Sequence, residues 1–129
     1  MEPLIGCLQD TSKDVRLSIA VALVQLGNRR AVEPLIACLQ DPHIYMRLYV
    51  AEALGQLGDP RAVEPLIGCL QDPWGYVRCV VAEALGQLGD PRAIEPLIDC
   101  LQDPCGDVRE AAAKSLRVIR LRANQTPKT

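Results

Sequence analysis

The sequence predicts an all-α fold of the α-solenoid class, because one helical pattern returns along the chain at a fixed interval. The stretch Ala51 to Pro73 returns almost unchanged at Ala82 to Pro104, 31 residues later. The same interval separates four prolines, which are Pro3, Pro34, Pro65 and Pro96. Each copy also holds two apolar stripes of helical spacing, which indicates two helices per copy. The prediction is four stacked helical hairpins at 1–28, 29–59, 60–90 and 91–122, followed by a polar tail at 123–129.

The first helix of each copy, helix A, is represented by Arg61 to Gln71. Its apolar residues recur at the spacing of one buried helix stripe, at Val63, Leu66, Ile67 and Leu70. Before it, Gly58 can end the preceding helix, Asp59 can cap the next one and Pro60 fits a first helical position. Pro65 removes an amide donor soon afterwards, so we expect a bend or a late helix start at each equivalent proline.

The second helix, helix B, is predicted from about His43 to Leu57 and from about Trp74 to Leu88. The preceding Asp-Pro pairs, such as Asp41-Pro42, are expected to supply its cap and its first-turn proline. Its buried stripe in the second copy consists of Met46, Val50, Leu54 and Leu57. Helices A and B can bury their stripes only against each other and against the adjacent copies.

Composition excludes several classes of function. The net charge is −2 and the pI is near 5.4, which argues against nucleic acid as a partner. No apolar run is long enough to span a membrane, and the first residues lack the pattern of a secretory signal, so we expect a cytoplasmic protein. Four of the six cysteines share one column and are expected to be reduced and buried, namely Cys7, Cys38, Cys69 and Cys100.

The pattern GDPRAVEPLI followed by DPxxxVRxxVAEALGQL resembles the HEAT-like repeats of bacteria and archaea, the short type also found in phycobilisome lyases and in artificial helical-repeat scaffolds. The resemblance covers about residues 1–121. It implies a right-handed superhelix with helix A outside and helix B lining a concave face. It also implies a structural ladder of aspartates and arginines along the stack. By position, these residues are Asp10, Arg16, Asp41, Arg47, Asp72, Arg78, Asp103 and Arg109.

No catalytic constellation is evident. The ladder residues recur in every copy, which favours a structural role over a single active site. The one histidine, His43, stands near the start of a helix B without a partner set that predicts a metal site. The sequence therefore predicts neither a metal nor a cofactor.

The residues that differ between copies are the informative ones. They fall on one face of helix B, opposite the buried stripe, and every Tyr and Trp lies among these columns. Exposed aromatics are typical of binding hot spots. The predicted partner-binding residues are Ile44, Tyr45, Leu48, Tyr49, Glu52, Trp74, Tyr76, Cys79, Val80 and Glu83. An alternative is that these aromatics fill crevices between repeats.

The function that follows is a non-enzymatic module that binds another protein or peptide through the concave face. The alternative from another class is a subunit or relative of a phycobilin lyase, which the resemblance allows. A nucleic-acid role ranks third, and no membrane role is expected. Leu4, Ile5 and Leu8 lack the lead-in of the other A helices, which leaves open a homodimer through the first repeat.

Overall fold

The computed structural model describes residues 13–27 and 29–125, and within these two ranges it contains helices and turns but no strand. The first repeat is represented by helix B alone, which is α1 (Lys13–Leu26). The described residues hold six further α-helices: α2 (Val32–Ala37), α3 (Ile44–Leu57), α4 (Val63–Gly68), α5 (Gly75–Leu88), α6 (Ile94–Asp99) and α7 (Gly106–Gln125). The short helices α2, α4 and α6 belong to helix A of their repeats, and α3, α5 and α7 are the following B helices. This architecture is an α-solenoid, as the sequence predicts.

Helix A is a composite element. In the third repeat a 3-10 turn at Pro60–Ala62 leads into α4, and a second 3-10 turn at Cys69–Gln71 follows it. Pro65 is the third residue of α4, where an amide has no partner inside that helix, so its missing N–H costs little. The late helix start predicted near these prolines is confirmed at Pro34, Pro65 and Pro96, and Pro3 lies outside the described residues.

The loops between repeats follow the predicted chemistry. Gly58 and Gly89 end their B helices with φ of 73° and 69°, a left-handed conformation that glycine adopts without a steric penalty. The Asp59 side chain then accepts a hydrogen bond from the Arg61 amide at 2.9 Å, and Pro60 occupies the first position of the 3-10 turn. The turn between consecutive repeats is therefore determined by the residues of the turn itself.

The start of helix B differs from the prediction. His43 precedes α3 as its cap, and its Nδ1 accepts a hydrogen bond from the Tyr45 amide at 3.2 Å. Asp41 instead accepts from the His43 amide at 2.9 Å, so it caps the turn before the helix. Pro42 lies in that turn and not in the first turn of α3. The aspartate is therefore available for a contact with another repeat.

The B helices pack most closely against each other where small residues meet. Helix α3 contacts α5, and α5 contacts α7, more extensively than any other pairs of helices. A β-carbon added to Gly55 would lie 2.9 Å from both Cα and Cβ of Ala84, which leaves no space for a side chain. Around this seam, Leu54, Leu85 and Leu97 are fully buried in one continuous core.

Two of the predictions concern the ends of the chain, namely the polar tail and the homodimer. Helix α7 continues to Gln125, three residues into the segment predicted as a tail. Arg117 is exposed in the column that holds Gly55 and Gly86 in the central repeats. The residues on which a homodimer was based, Leu4, Ile5 and Leu8, lie outside the described residues.

Among the described helices, none combines the length and apolarity needed to cross a membrane.

Candidate functional site

The B helices are held in register by ion pairs between consecutive repeats. Arg47 Nε donates to Asp72 at 2.7 Å, and Arg78 Nε donates to Asp103 at 2.8 Å. A third pair joins Arg16 Nε to Asp41 at 2.7 Å. Each arginine therefore reaches the aspartate of the next repeat, and both side chains of each pair are largely shielded from solvent.

Each of these arginines in the central repeats also closes the turn of its own repeat. Arg78 Nη1 donates to the carbonyl oxygens of Asp72 and Pro73 at 2.8 and 3.2 Å. Hydrogen bonds from Arg78 hold the pKa of Asp103 below its usual range, against the opposing effect of burial. Arg109 donates to the Asp103 carbonyl at 2.6 Å, within its own repeat. Asp10, the first member predicted for this ladder, lies outside the described residues.

The ladder orients a surface that we call the B-helix face, formed by the exposed columns of Tyr45 and Glu52 in α3 and of Tyr76 and Glu83 in α5. Tyr45 and Tyr76 are 66% and 68% exposed and occupy equivalent positions in consecutive repeats. Trp74 is 58% exposed and precedes α5, so it lies at the edge of this face, where the helix begins. The structure thus leaves three large aromatic side chains in solvent.

Five of the residues predicted to bind a partner are only half-exposed. They all pack against the core at the seams between the helices, and they are Ile44, Leu48, Tyr49, Cys79 and Val80. The expectation that Tyr49 faces solvent as fully as the other aromatics is therefore wrong. Tyr49 therefore packs partly against the core, whereas Tyr45, Trp74 and Tyr76 are exposed.

The two glutamates of the B-helix face are exposed and lie one repeat apart. Glu83 accepts a hydrogen bond from the Cys79 thiol at 3.4 Å. Burial, and then the Glu83 carboxylate, raises the pKa of Cys79 to about 12, so this thiol remains protonated at neutral pH. Between residues 29 and 125, Glu52 forms no ion pair. Both carboxylates are therefore presented to solvent as acceptors.

A groove of about 650 Å³ opens between α5 and α7 beside this face. Glu83 and Cys79 line one wall, and Asp107 and Glu110 line the other. The groove also includes residues that were not predicted to bind a partner, namely Gln87, Lys114, Ser115, Val118 and Arg122. Gln87 is identical in the equivalent position of earlier repeats, so variation between copies could not reveal it. The feature of the sequence that could have identified Gln87 is its position one helical turn after Glu83.

The chemistry of the remaining groups is limited. His43 contacts the Tyr45 ring, with the ring centres 5.4 Å apart. The part of the chain that the structure describes contains no group of three His, Cys, Asp or Glu side chains arranged to hold a metal ion. The thiols of Cys38, Cys69 and Cys100 are free and buried, and Cys7 lies outside the described residues.

Comparisons with known proteins agree with the repeat architecture. A family model described as HEAT repeats matches residues 1–78 and 32–117. Human deoxyhypusine hydroxylase is 27% identical with a TM-score of 0.82, over 99% of this chain and 46% of that one. The CpcE–CpcF complex of phycocyanin lyase from Nostoc is 26% identical with a TM-score of 0.63, over 93% of this chain and 65% of that one.

A designed armadillo repeat protein, solved in complex with the peptide (KR)4, shares the fold at 17% identity and a TM-score of 0.67, over 91% of this chain and 63% of that one. This chain therefore spans less than two thirds of the length of each of these solved relatives. No curated protein sequence matches it significantly.

Proposed function

This chain belongs to the HEAT-repeat family, and on that premise we propose that it is a non-enzymatic module that binds another protein or peptide through its B-helix face. The observation that carries the proposal is the exposure of Tyr45, Trp74 and Tyr76 on neighbouring repeats. Large rigid aromatics in solvent provide contact area with few rotatable bonds, which is the composition of binding hot spots. No cofactor is needed for this role.

The half-exposed residues beside the B-helix face would surround the contact with the partner. Leu48, Cys79 and Val80 each offer part of their apolar surface beside the exposed tyrosines. Glu52 and Glu83 would line the same path as polar neighbours. A partner that crosses several repeats would then bury aromatic anchors within a polar surround, which is the usual anatomy of a protein interface. The location we propose is cytoplasmic, where free thiols such as these persist.

Selection from a displayed peptide library would test this function. Peptides enriched on the wild-type chain should lose affinity for a Trp74→Ser, Tyr76→Ser double variant by about 2 kcal/mol or more, as expected when central anchors are removed. Because both side chains are exposed, the double variant should unfold within about 0.5 kcal/mol of the wild type for each change. Fluorescence anisotropy and thermal melts provide the two measurements.

Two controls make that result specific. Glu95→Ser alters an exposed residue of helix A and should leave peptide binding unchanged. Tyr49→Ser should lower the melting temperature, since Tyr49 packs against the core. Peptides that bind the double variant as tightly as the wild type would refute the assignment of the B-helix face.

A second candidate function is supported by the likeness to the phycocyanin lyase complex. In this alternative the chain is a subunit or relative of a bilin lyase and contributes a surface to a larger assembly. Titration of the protein with a free bilin should then shift the absorbance spectrum of the chromophore. An unchanged spectrum at concentrations that saturate a lyase complex used as a positive control would exclude this candidate.

A further inference from the structure

We propose that the partner is an extended segment with Lys or Arg at every third residue, bound along the B-helix face. This inference rests on the proposed function and adds the chemistry of the bound segment. It draws on three features of the described residues: the charge of this face, the matched Tyr and Glu columns, and the distance between neighbouring B helices.

The charge of the face is acidic. Glu52 and Glu83 are exposed in the central repeats, and Asp107 continues the acidic surface on α7, where Glu110 is paired with a lysine. Of the two basic side chains of the α5–α7 groove, one pairs with an acidic side chain and the other donates to a backbone carbonyl. Lys114 pairs with Glu110 at 3.0 Å, and Arg122 donates to the Gln87 carbonyl at 2.9 Å. Cationic side chains complement such a surface, whereas the phosphates of nucleic acids or anionic lipids are repelled.

Aromatic rings accompany the carboxylates in register. Tyr45 precedes Glu52 by seven residues, and Tyr76 precedes Glu83 by the same number, so each pair lies two turns apart on one helix face. Lys or Arg side chains at this face are attracted to the carboxylates, and those that lie beside a tyrosine instead are attracted to the face of its ring. The same pair is presented in the second and third repeats, so the face offers two equivalent cation sites one repeat apart.

The spacing selects the conformation of the bound segment. Packed neighbouring helices lie about 8–10 Å apart. A polyproline II segment rises about 3.1 Å per residue and has three residues per turn, so every third side chain returns to the same side after about 9 Å. Basic residues at i and i+3 would therefore meet Glu52 and Glu83 in turn. The fourth repeat does not continue the pair, because Asp107 replaces the tyrosine and Lys114 replaces the glutamate.

The test uses a labelled peptide of about twelve residues with Arg at every third position and Pro and Ser between them. A second peptide has the same composition with its arginines contiguous, and a third has Glu in place of Arg. Fluorescence anisotropy should show that the periodic peptide binds at least about fivefold more tightly than the contiguous one. Its affinity should fall steeply as salt is added. The acidic peptide should not bind.

Variants then locate the contact. Glu52→Gln with Glu83→Gln should weaken the periodic peptide at least about fivefold, the range expected for losing two exposed ion pairs. Glu64→Gln with Glu95→Gln is the matched control, because these exposed glutamates also lie one repeat apart but belong to helix A. That control should change the affinity less than about twofold. Equal effects of the two double variants would show non-specific attraction and overturn the proposal.

The outcome also separates this inference from the proposed function. If the periodic peptide fails to bind while library-selected peptides still depend on Trp74 and Tyr76, the basic chemistry is wrong and the interaction module stands. If selected peptides depend on neither aromatic, both proposals fail. If selected peptides are enriched in Lys or Arg three residues apart and lose affinity with Glu52→Gln and Glu83→Gln, both are supported.

Discussion

At the residue scale, one arginine side chain joins two repeats and one turn. Arg78 donates to both carboxylate oxygens of Asp103 in the next repeat, at 2.8 and 3.0 Å, and to two carbonyl oxygens of its own A–B turn. A planar guanidinium with five donors can satisfy all of these acceptors at once, which an ammonium group cannot do. Asp103 in turn accepts from the Cys105 amide at 2.8 Å. Stacking and turn geometry are therefore coupled at a single side chain.

The first prediction concerns this arginine. Arg78→Ala should reduce the free energy of unfolding by about 1–3 kcal/mol, because it leaves the largely buried Asp103 carboxylate with the Cys105 amide alone and removes the Arg78 donor from two carbonyls. Arg92→Ala removes an arginine from the more exposed Asp90 and Glu64 pairs and should cost less than about 1 kcal/mol. Urea unfolding of both variants provides the comparison. Equal losses would show that the buried pairs contribute no more than the surface ones.

The same variant has a pH signature. The pKa of Asp103 lies below its usual value in the folded state, so its contribution is present above about pH 4. That contribution is lost as the pH falls through the lowered pKa. The difference in the free energy of unfolding between the wild type and Arg78→Ala should therefore be smaller at acidic pH than at neutral pH. If the variant lost packing alone, this difference would not change with pH.

At the element scale, the approach of one B helix to the next depends on a column of small residues. Gly55 faces Ala84, and Gly86 faces Ser115, whose hydroxyl donates to the Ala82 carbonyl at 2.7 Å. Glycine in a helix carries an entropic cost of about 0.5–1 kcal/mol relative to alanine. Close contact between α3 and α5 offsets this cost because their apolar stripes can then bury each other.

The second prediction tests this seam with residues that the chain itself uses elsewhere. Gly55→Val introduces the residue found at the equivalent Val24 and should destabilise the fold by about 1–3 kcal/mol, because its β-carbon would overlap Ala84. Gly68→Ala introduces the residue found at the equivalent Ala37, where no atom lies within 4 Å of the new β-carbon. It should be neutral or stabilise by up to about 1 kcal/mol. Similar melting temperatures for the two variants would contradict the close approach at Gly55.

Element boundaries show what sequence could and could not predict. Local patterns in the sequence predicted the period and the two helices per repeat. They also predicted the glycine and aspartate signals between repeats. The resemblance placed Asp41 in the ladder, but the sequence did not show that Asp41 caps the turn before α3 and not the helix itself, because the arginine that donates to it belongs to another repeat. The burial of Tyr49 likewise depends on how closely a neighbouring helix approaches, which no periodicity within one helix reports. The α5–α7 groove requires two helices for the same reason.

At the scale of the whole molecule, the interfaces between repeats are unequal. Helix α1 contacts α3 far less extensively than α3 contacts α5 or α5 contacts α7. Val24 occupies the column where Gly55 and Gly86 allow close approach in the central repeats, and Leu26 at the end of α1 is 50% exposed. In a solenoid, the free energy of unfolding is approximately the sum of the intrinsic stability of each repeat and the energy of each interface between neighbouring repeats. A weak interface therefore lowers the local stability of the repeat beside it.

The last prediction follows from this inequality. Native-state hydrogen exchange should be faster for the amides of α1 than for those of α5, because opening α1 breaks the smaller interface. Helix α7 is the control, since it is the last helix of the chain yet packs extensively against α5. Its first turns, up to about Ala112, should exchange nearly as slowly as α5, although its exposed end beyond Leu121 should exchange quickly. If α1 and the packed part of α7 exchange at the same rate, position in the chain and not packing sets local stability, and the role assigned to Val24 is wrong.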